Sequence, residues 1–528
     1  MVCASLVTLV PLVIILSSLF SPQAEVWTHL TTFVLPRLLN NTAVLLIGVS
    51  VGVLILGVPL AWLVALYQFP GRQFFSWALM LPLAMPAYVM AFTLIGLLDY
   101  TGPLQSYLRT LNIDTRTLPN IRSTWGVLLT LSLTLYPYVY LLAREGFSTL
   151  GRQALEAGQS LGLNRYQGFF RLALPMNRPW IIGGLSLALM ETLADFGTVA
   201  IFNYDAFTSA IYKAWFGLFS LSSASQLASI LVLAVFCVLW IELRARGKRL
   251  YIAAGRNPVM RQRQPLRGWK GALACLWATL VFLLAFAIPF AQLVQWSILV
   301  APTDFDERYV KFIGYSIGLA ALAAGCVTLF ALMLSYAQRR EGTPFSQLAS
   351  RIATLGYAVP GTVLAVGIFI PIAWLDQHLL NWLSPWLEPN QTALLKGTLW
   401  VMLLAYVARF SAVGFQAVDS AMQRITRSQE ESARALGCQG IGLARKLYFP
   451  LLRGGLLASM LMVFVDVMKE MPITLMTRPF GWDTLAIRVF EMTSEGEWER
   501  AALPAVAIVL SGLLPVILLA RSTAHPTD

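Results

Sequence analysis

The chain has 528 residues, 57% of them hydrophobic and only 12% charged, where a soluble globular protein carries roughly 25% charged residues. That excludes an ordinary soluble enzyme. Lys and Arg outnumber Asp and Glu by 38 to 26, a net charge of +12, but no aromatic interleaving or binding motif accompanies the basic residues, so nucleic acid is not an expected partner.

A membrane interior cannot satisfy exposed backbone groups, so a crossing helix needs about 20 apolar residues. In chain order the predicted spans are 1–24, 38–71, 73–98, 123–143, 180–201, 214–241, 271–303, 312–338, 352–375, 397–416, 454–476 and 501–520. Nine are free of charge. The other three are 180–201 with Glu191 and Asp195, 397–416 with Arg409, and 454–476 with Asp466, Lys469 and Glu470. The first stretch could be read as a secretory signal, but its amino end lacks a positive charge. It also has a partner later in the chain, Val10-Pro11 against Ile288-Pro289, and is kept as a span.

Twelve spans counted from a cytoplasmic amino terminus place the segments 144–178, 244–270, 339–351 and 409–453 on one side. With Arg72 and Arg521, that side holds 26 of the 38 Lys and Arg, and the positive-inside bias fixes the orientation. These charges are expected to face cytoplasmic water and membrane lipid heads.

An offset of about 275 residues aligns the chain with itself. Pro86 falls on Pro360, Glu156 on Glu431, Gly162 on Gly437, Pro175 on Pro450, Glu191 on Asp466 and Asp195 on Glu470. Special residues carry the match, since an intramembrane carboxylate costs about 2.5–3.5 kcal/mol and two such coincidences at one offset are not expected by chance. Six spans per copy give two parallel homologous halves: residues 1–243, a basic cytoplasmic linker over 244–270, and residues 271–528.

Between the fourth and fifth spans of each half lies a segment of common plan, near 145–179 and 419–453. The first reads Glu156-Ala157-Gly158-Gln159-Ser160-Leu161-Gly162 and continues to Pro175. The second reads Glu431-Ser432-Ala433-Arg434-Ala435-Leu436-Gly437 and continues to Pro450. The pattern predicts a short helix, a break at Gly, a second short helix, and Pro before the next span. A short exposed helix beside small residues suits docking into a groove on a partner.

This resembles the EAA loop of ATP-binding-cassette importer permeases, and the spans and repeat resemble a fused pair of type I permease domains, an all-α integral membrane fold. Gly158 and Ser432 stand where that family usually has Ala, and Phe449 stands for Leu before Pro450. The resemblance implies that each segment seats in one subunit of an ATPase homodimer, with Glu156 and Glu431 facing it and Gly162 and Gly437 supplying the bend. It also implies an extracytoplasmic substrate-binding protein and a multi-pass protein of the bacterial inner membrane. No phosphate-loop motif is present, so ATP and Mg are expected on the partner and this chain is expected to be no enzyme and to bind no cofactor. Three scattered His residues, His29, His378 and His525, offer no metal site.

Glu191 and Asp195 are four apart, as are Asp466 and Glu470, so each pair is expected to share a helix face. With Lys469 they form a candidate translocation path, an oxygen-rich constriction suited to a hard cation. The plainer alternative puts Asp195 and Glu470 at outer helix ends in water and pairs Asp466 with Lys469. The surrounding residues, Asp195-Phe196-Gly197-Thr198-Val199-Ala200 and Lys469-Glu470-Met471-Pro472-Ile473-Thr474-Leu475 with Arg478-Pro479-Phe480, resemble the fused permeases of ferric-iron importers. That resemblance implies Fe3+ as cargo. Fused thiamine and 2-aminoethylphosphonate permeases share the architecture, and a twelve-span secondary transporter fits the span count but not the paired segments.

Overall fold

The computed structural model describes all residues except 21–26, 29, 116–118, 161, 165–166, 247–262, 384–385, 387–392, 439–440 and 524–528. Most of the expected linker therefore lies outside the described residues. Among the described residues the elements are helical apart from a two-residue parallel pairing of Tyr67-Gln68 with Gln264-Pro265, which ties the late part of the expected linker to the end of the second span.

Among the described residues, eleven helices are long and apolar enough to cross a membrane. The remaining expected span, 180–201, the fifth in chain order, is a helix over Leu174–Ala194 that misses this standard. Asn177, Arg178, Pro179 and Glu191 dilute its apolar run. The expected third span, 73–98, is not one helix but three pieces, Arg72–Ala78, Leu81–Ala84 and Ala87–Leu98. Pro82 and Pro86 lack the amide donors that a continuous helix needs. The second copy breaks at the matching place, with Pro344–Thr354, Leu355–Ala358 and Gly361–Leu383 around Pro360.

Proline also explains a recurring wide turn. Leu30–Val34, Gly168–Ala173, Leu283–Ala287 and Ala444–Tyr448 are π-helical, and each is followed two residues later by Pro36, Pro175, Pro289 or Pro450. Widening the turn sidesteps both the missing N–H and the clash of the ring with the preceding carbonyl. Pro175 and Pro450 thus lie inside continuous rods. The short helix expected before each of them is joined to the following span.

Two compact units emerge, and neither is contiguous in sequence. One comprises Met1–Thr31, Ala210–Val232 and Pro302–Glu491. Its centre is the mutual packing of Glu307–Glu341, Leu399–Met422 and Phe449–Met468, joined by a buried hydroxyl pair, Thr328 to Ser459 at 2.9 Å. The opening helix Val2–Ser17 packs on Pro344–Thr354 and Gly361–Leu383. Thr8 Oγ1 donates to the Ala353 carbonyl at 3.1 Å, and Ser229 Oγ donates to that of Ile15 at 2.5 Å.

The other unit comprises Thr32–Ser209, Leu233–Ala301 and Met492–Asp528. Its main seam joins Leu35–Leu66 to Thr124–Ser160. Gly48 and Gly52, one helical turn apart, let the second backbone approach, since a Cβ at either position would overlap Leu128 or Ser132. Tyr136 Oη donates to the Leu79 carbonyl at 2.9 Å and Asn177 Nδ2 to that of Ala143 at 3.0 Å, two buried donors that find backbone acceptors. The closing helix Trp498–Thr523 packs on Leu81–Ala84 and Ala87–Leu98. The units cut across the halves read from the sequence, because one describes contact and the other resemblance between copies.

Candidate functional site: paired docking segments and intramembrane carboxylates

In the first docking segment the fourth span runs without a break into it, as one helix over Thr124–Ser160. In the second, Leu399–Met422 ends and a separate helix, Arg427–Ala435, begins. The difference is local. Thr426 and Gln429 form a reciprocal capping box, with Gln429 N donating to Thr426 Oγ1 at 3.3 Å and Thr426 N donating to Gln429 Oε1 at 3.0 Å. Gly151 and Ala154 stand at the matching positions of the first copy, and neither side chain can cap.

Both segments end alike. Gly162 and Gly437 adopt φ of 83° and 80°, the left-handed region that glycine enters without a Cβ penalty. Gly162 N donates to Gln159 O at 2.9 Å and Leu163 N to Gly158 O at 3.0 Å. Gly437 N donates to Arg434 O at 3.0 Å and Cys438 N to Ala433 O at 3.0 Å. These are two Schellman closures, built at matching positions from sequences with little else in common.

Glu431 and Ser432 are exposed, whereas Ala433 is half-buried against a cluster of Met422, Ile425, Leu443, Tyr448 and Leu452. The second segment therefore presents an acidic, small-residue face over an apolar base. In the first, Gly158 is buried and Gly162 exposed; the side chains of Glu156 and Ala157 lie outside the described residues. Sequence reasoning missed the residue before Glu431. Glu430 turns inward and accepts from Arg339 Nε at 2.6 Å and Tyr448 Oη at 2.6 Å. A carboxylate 91 positions from its arginine leaves no local signal.

The carboxylates of the expected path differ from their sequence reading. Glu191 lies on the Leu174–Ala194 helix, but the chain leaves that helix at Asp195, with φ −66° and ψ 124°. The two do not share a helix face. Asp195 instead sits one residue before Phe196, the N-cap of the next short helix Gly197–Ile201, and accepts from Thr198 Oγ1 at 2.9 Å and Val199 N at 3.2 Å in its first turn.

Glu470 repeats the arrangement in the other unit. It follows the end of Phe449–Met468 and accepts from Ile473 N at 3.0 Å and Thr474 N at 3.2 Å, so it does not share a helical face with Asp466 either. Glu470 is 9% exposed and Asp195 is half-buried. Neither projects freely into water. Asp466 pairs with Lys469 at 2.9 Å, as the plainer reading expected. Among the described residues, no three His, Cys, Asp or Glu side chains gather into a group able to hold a metal.

The model of the family described as binding-protein-dependent transport system inner membrane component matches residues 57–243 and 328–525, and each matched region contains one docking segment. An Fe(3+)-transport system permease protein of Haemophilus influenzae is 27% identical over 92% of this chain and 90% of its own length. A ferric transport system permease protein of Actinobacillus pleuropneumoniae is 22% identical over 75% of this chain and 57% of its own. A putative 2-aminoethylphosphonate transport system permease protein of Salmonella choleraesuis is 27% identical over 49% of this chain and 97% of its own.

Proposed function

This chain belongs to the family of binding-protein-dependent transport system inner membrane components, and from that premise we propose that it is the fused permease subunit of an ATP-driven importer of Fe3+. The observation that carries the reading is the pair of Schellman-closed docking segments, one in each matched region. A surface used twice in the same way suits a partner present in two copies. We assign that partner as an ATPase homodimer that binds ATP and Mg, with Glu156, Ala157, Gly158, Gly162 and Pro175 forming one seat and Glu431, Ser432, Ala433, Gly437 and Pro450 the other. No residue of this chain performs the hydrolysis in this scheme.

The proposed organisation is a first permease copy over 1–243, a cytoplasmic linker over 244–270 and a second copy over 271–528. Both termini and both docking segments lie in the cytoplasm, on the side that concentrates Lys and Arg. Iron is favoured over 2-aminoethylphosphonate because the Haemophilus influenzae relative matches nearly end to end, whereas the phosphonate relative covers about half of this chain. A soluble protein delivers the cargo from outside. Glu191, Asp195, Asp466, Lys469 and Glu470 set the charge along the translocation path rather than forming a tight cage, since a site that must release a trivalent ion cannot hold it with many fixed carboxylates.

The test is reconstitution of the full chain in liposomes with its ATPase and binding protein. ATP-dependent accumulation of radioactive iron is expected, with phosphonate and thiamine not taken up. Uptake without an ATPase, or transport of an organic cargo in place of iron, would overturn the assignment.

A further inference from the structure

Three elements of one unit converge on Arg339, in the last turn of the Glu307–Glu341 helix. Its Nη1 and Nη2 donate to the carbonyls of Met422 and Ile425, both at 2.5 Å, and its Nε donates to Glu430 Oε1 at 2.6 Å. Met422 closes the fourth span of the second copy, Ile425 lies in the turn after it, and Glu430 lies on the docking helix Arg427–Ala435. Tyr448, at the foot of the next rod, donates to the same Glu430 oxygen. Arg339 and Glu430 are only 20% and 15% exposed. A planar guanidinium with five donors in a fixed fork reaches all three acceptors at set angles, a geometry that the compact ammonium of Lys does not fix.

The first copy is built differently. At an offset of 275 residues, Val64, Leu155 and Ala173 replace Arg339, Glu430 and Tyr448. There the span and segment meet through rings, with Trp62 edge-on to Phe147 at 5.1 Å and to Phe169 at 4.8 Å. The first copy also keeps one helix from the fourth span into the segment; in the second the chain breaks between Leu399–Met422 and Arg427–Ala435, and the three-acceptor clamp fixes distance and angle across the break.

We infer that Arg339 is a positioning residue that fastens the second docking segment to the Glu307–Glu341 helix, so that displacement of the segment by its partner is passed into the membrane through the clamp on this side, where the first copy has an unbroken helix over Thr124–Ser160 to do so. The inference rests on the reading of 427–435 as an ATPase seat. Glu431 makes the contact in that scheme, and Glu430, its neighbour, carries the movement inward.

The full chain is reconstituted with its ATPase and binding protein, carrying Arg339→Lys, Glu430→Gln, both together, or Glu431→Arg. Two quantities are read: ATPase recovered per permease, and ATP hydrolysed per iron transported. Arg339→Lys and Glu430→Gln are expected to recover the parental amount of ATPase while raising the ATP-to-iron ratio about tenfold, and the double variant is expected to be no worse than the poorer single, because both cut one linkage. Glu430→Gln keeps an oxygen acceptor for Arg339 and Tyr448, so it carries the test should Arg339→Lys fail to accumulate. Parental ratios in variants that retain the ATPase, or multiplied losses in the double, would refute the clamp alone. Full recovery of ATPase with Glu431→Arg would instead refute the docking reading.

Discussion

Glu430 and Glu431 adjoin in sequence but differ in surroundings: the first accepts hydrogen bonds from Arg339 and Tyr448, and the second is exposed. The two should therefore separate stability from assembly. Glu430→Ala leaves a largely buried guanidinium without its carboxylate and is expected to cost about 1–3 kcal/mol. Glu431→Ala is expected to stay within about 0.5 kcal/mol. Thermal unfolding of the detergent-purified chain measures both, and an equal effect of the two would show that the inward ion pair contributes nothing.

The glycines that close the docking helices make a second test. A Cβ at Gly162 or Gly437 would meet nothing within 4 Å, so substitution by Ala probes backbone strain alone. Each Ala variant is expected to lose about 1 kcal/mol from the left-handed penalty, and Asn, which tolerates that region, should lose less. The readout is melting temperature together with ATPase recovery. Ala variants indistinguishable from the parent would mean that the turn is not held in this conformation.

Asp195 and Glu470 combine an acceptor with a charge, and substitution can separate the two. Asp195→Ser keeps an oxygen acceptor for the first turn of Gly197–Ile201, while Asp195→Ala keeps neither acceptor nor charge; such a hydrogen bond is worth about 1 kcal/mol. With charge setting the path, Asp195→Ser and Glu470→Gln are expected to assemble normally and to transport iron more slowly. Transport at the parental rate would leave these carboxylates a structural role only.

Gly52 and Gly454 provide a contrast in packing. A Cβ on Gly52 would overlap the Ser132 side chain, whereas one on Gly454 would meet open space. Gly52→Ala is expected to destabilise by about 1–3 kcal/mol through forced separation of helices. Gly454→Ala should be neutral or stabilising by up to about 1 kcal/mol through helix propensity. Parallel unfolding curves decide the sign, and a stabilised Gly52→Ala would contradict the close seam.

Hydropathy made most spans legible, and the matched Gly residues located both left-handed helix closures, Gly162 and Gly437, before any coordinates. Proline had a less visible effect. Pro82 and Pro86 broke an apolar run that looks continuous by composition, while Pro175 and Pro450 were absorbed into wide turns rather than ending a helix. The expected face shared by Glu191 and Asp195 failed because a four-residue spacing has meaning only while the chain stays helical, and Asp195 is where it leaves. The Arg339 clamp and the pairing of Thr8 with Ala353 were invisible because each joins residues far apart in sequence, and periodicity reports only on neighbours.

That last pairing bears on how the protein is made. Thr8 and Ala353 are separated by 345 positions, and translation at roughly 5–20 residues per second puts about 20–70 seconds between their appearances. The opening helix therefore enters the bilayer long before the Pro344–Thr354 and Gly361–Leu383 surface it packs on exists. During synthesis it must be sheltered by lipid, by the insertion machinery or by a passing neighbour. A ribosome stalled in the linker would leave a nascent chain whose first helix has Ser229 within the synthesised part but still lacks the surface of residues 344–383.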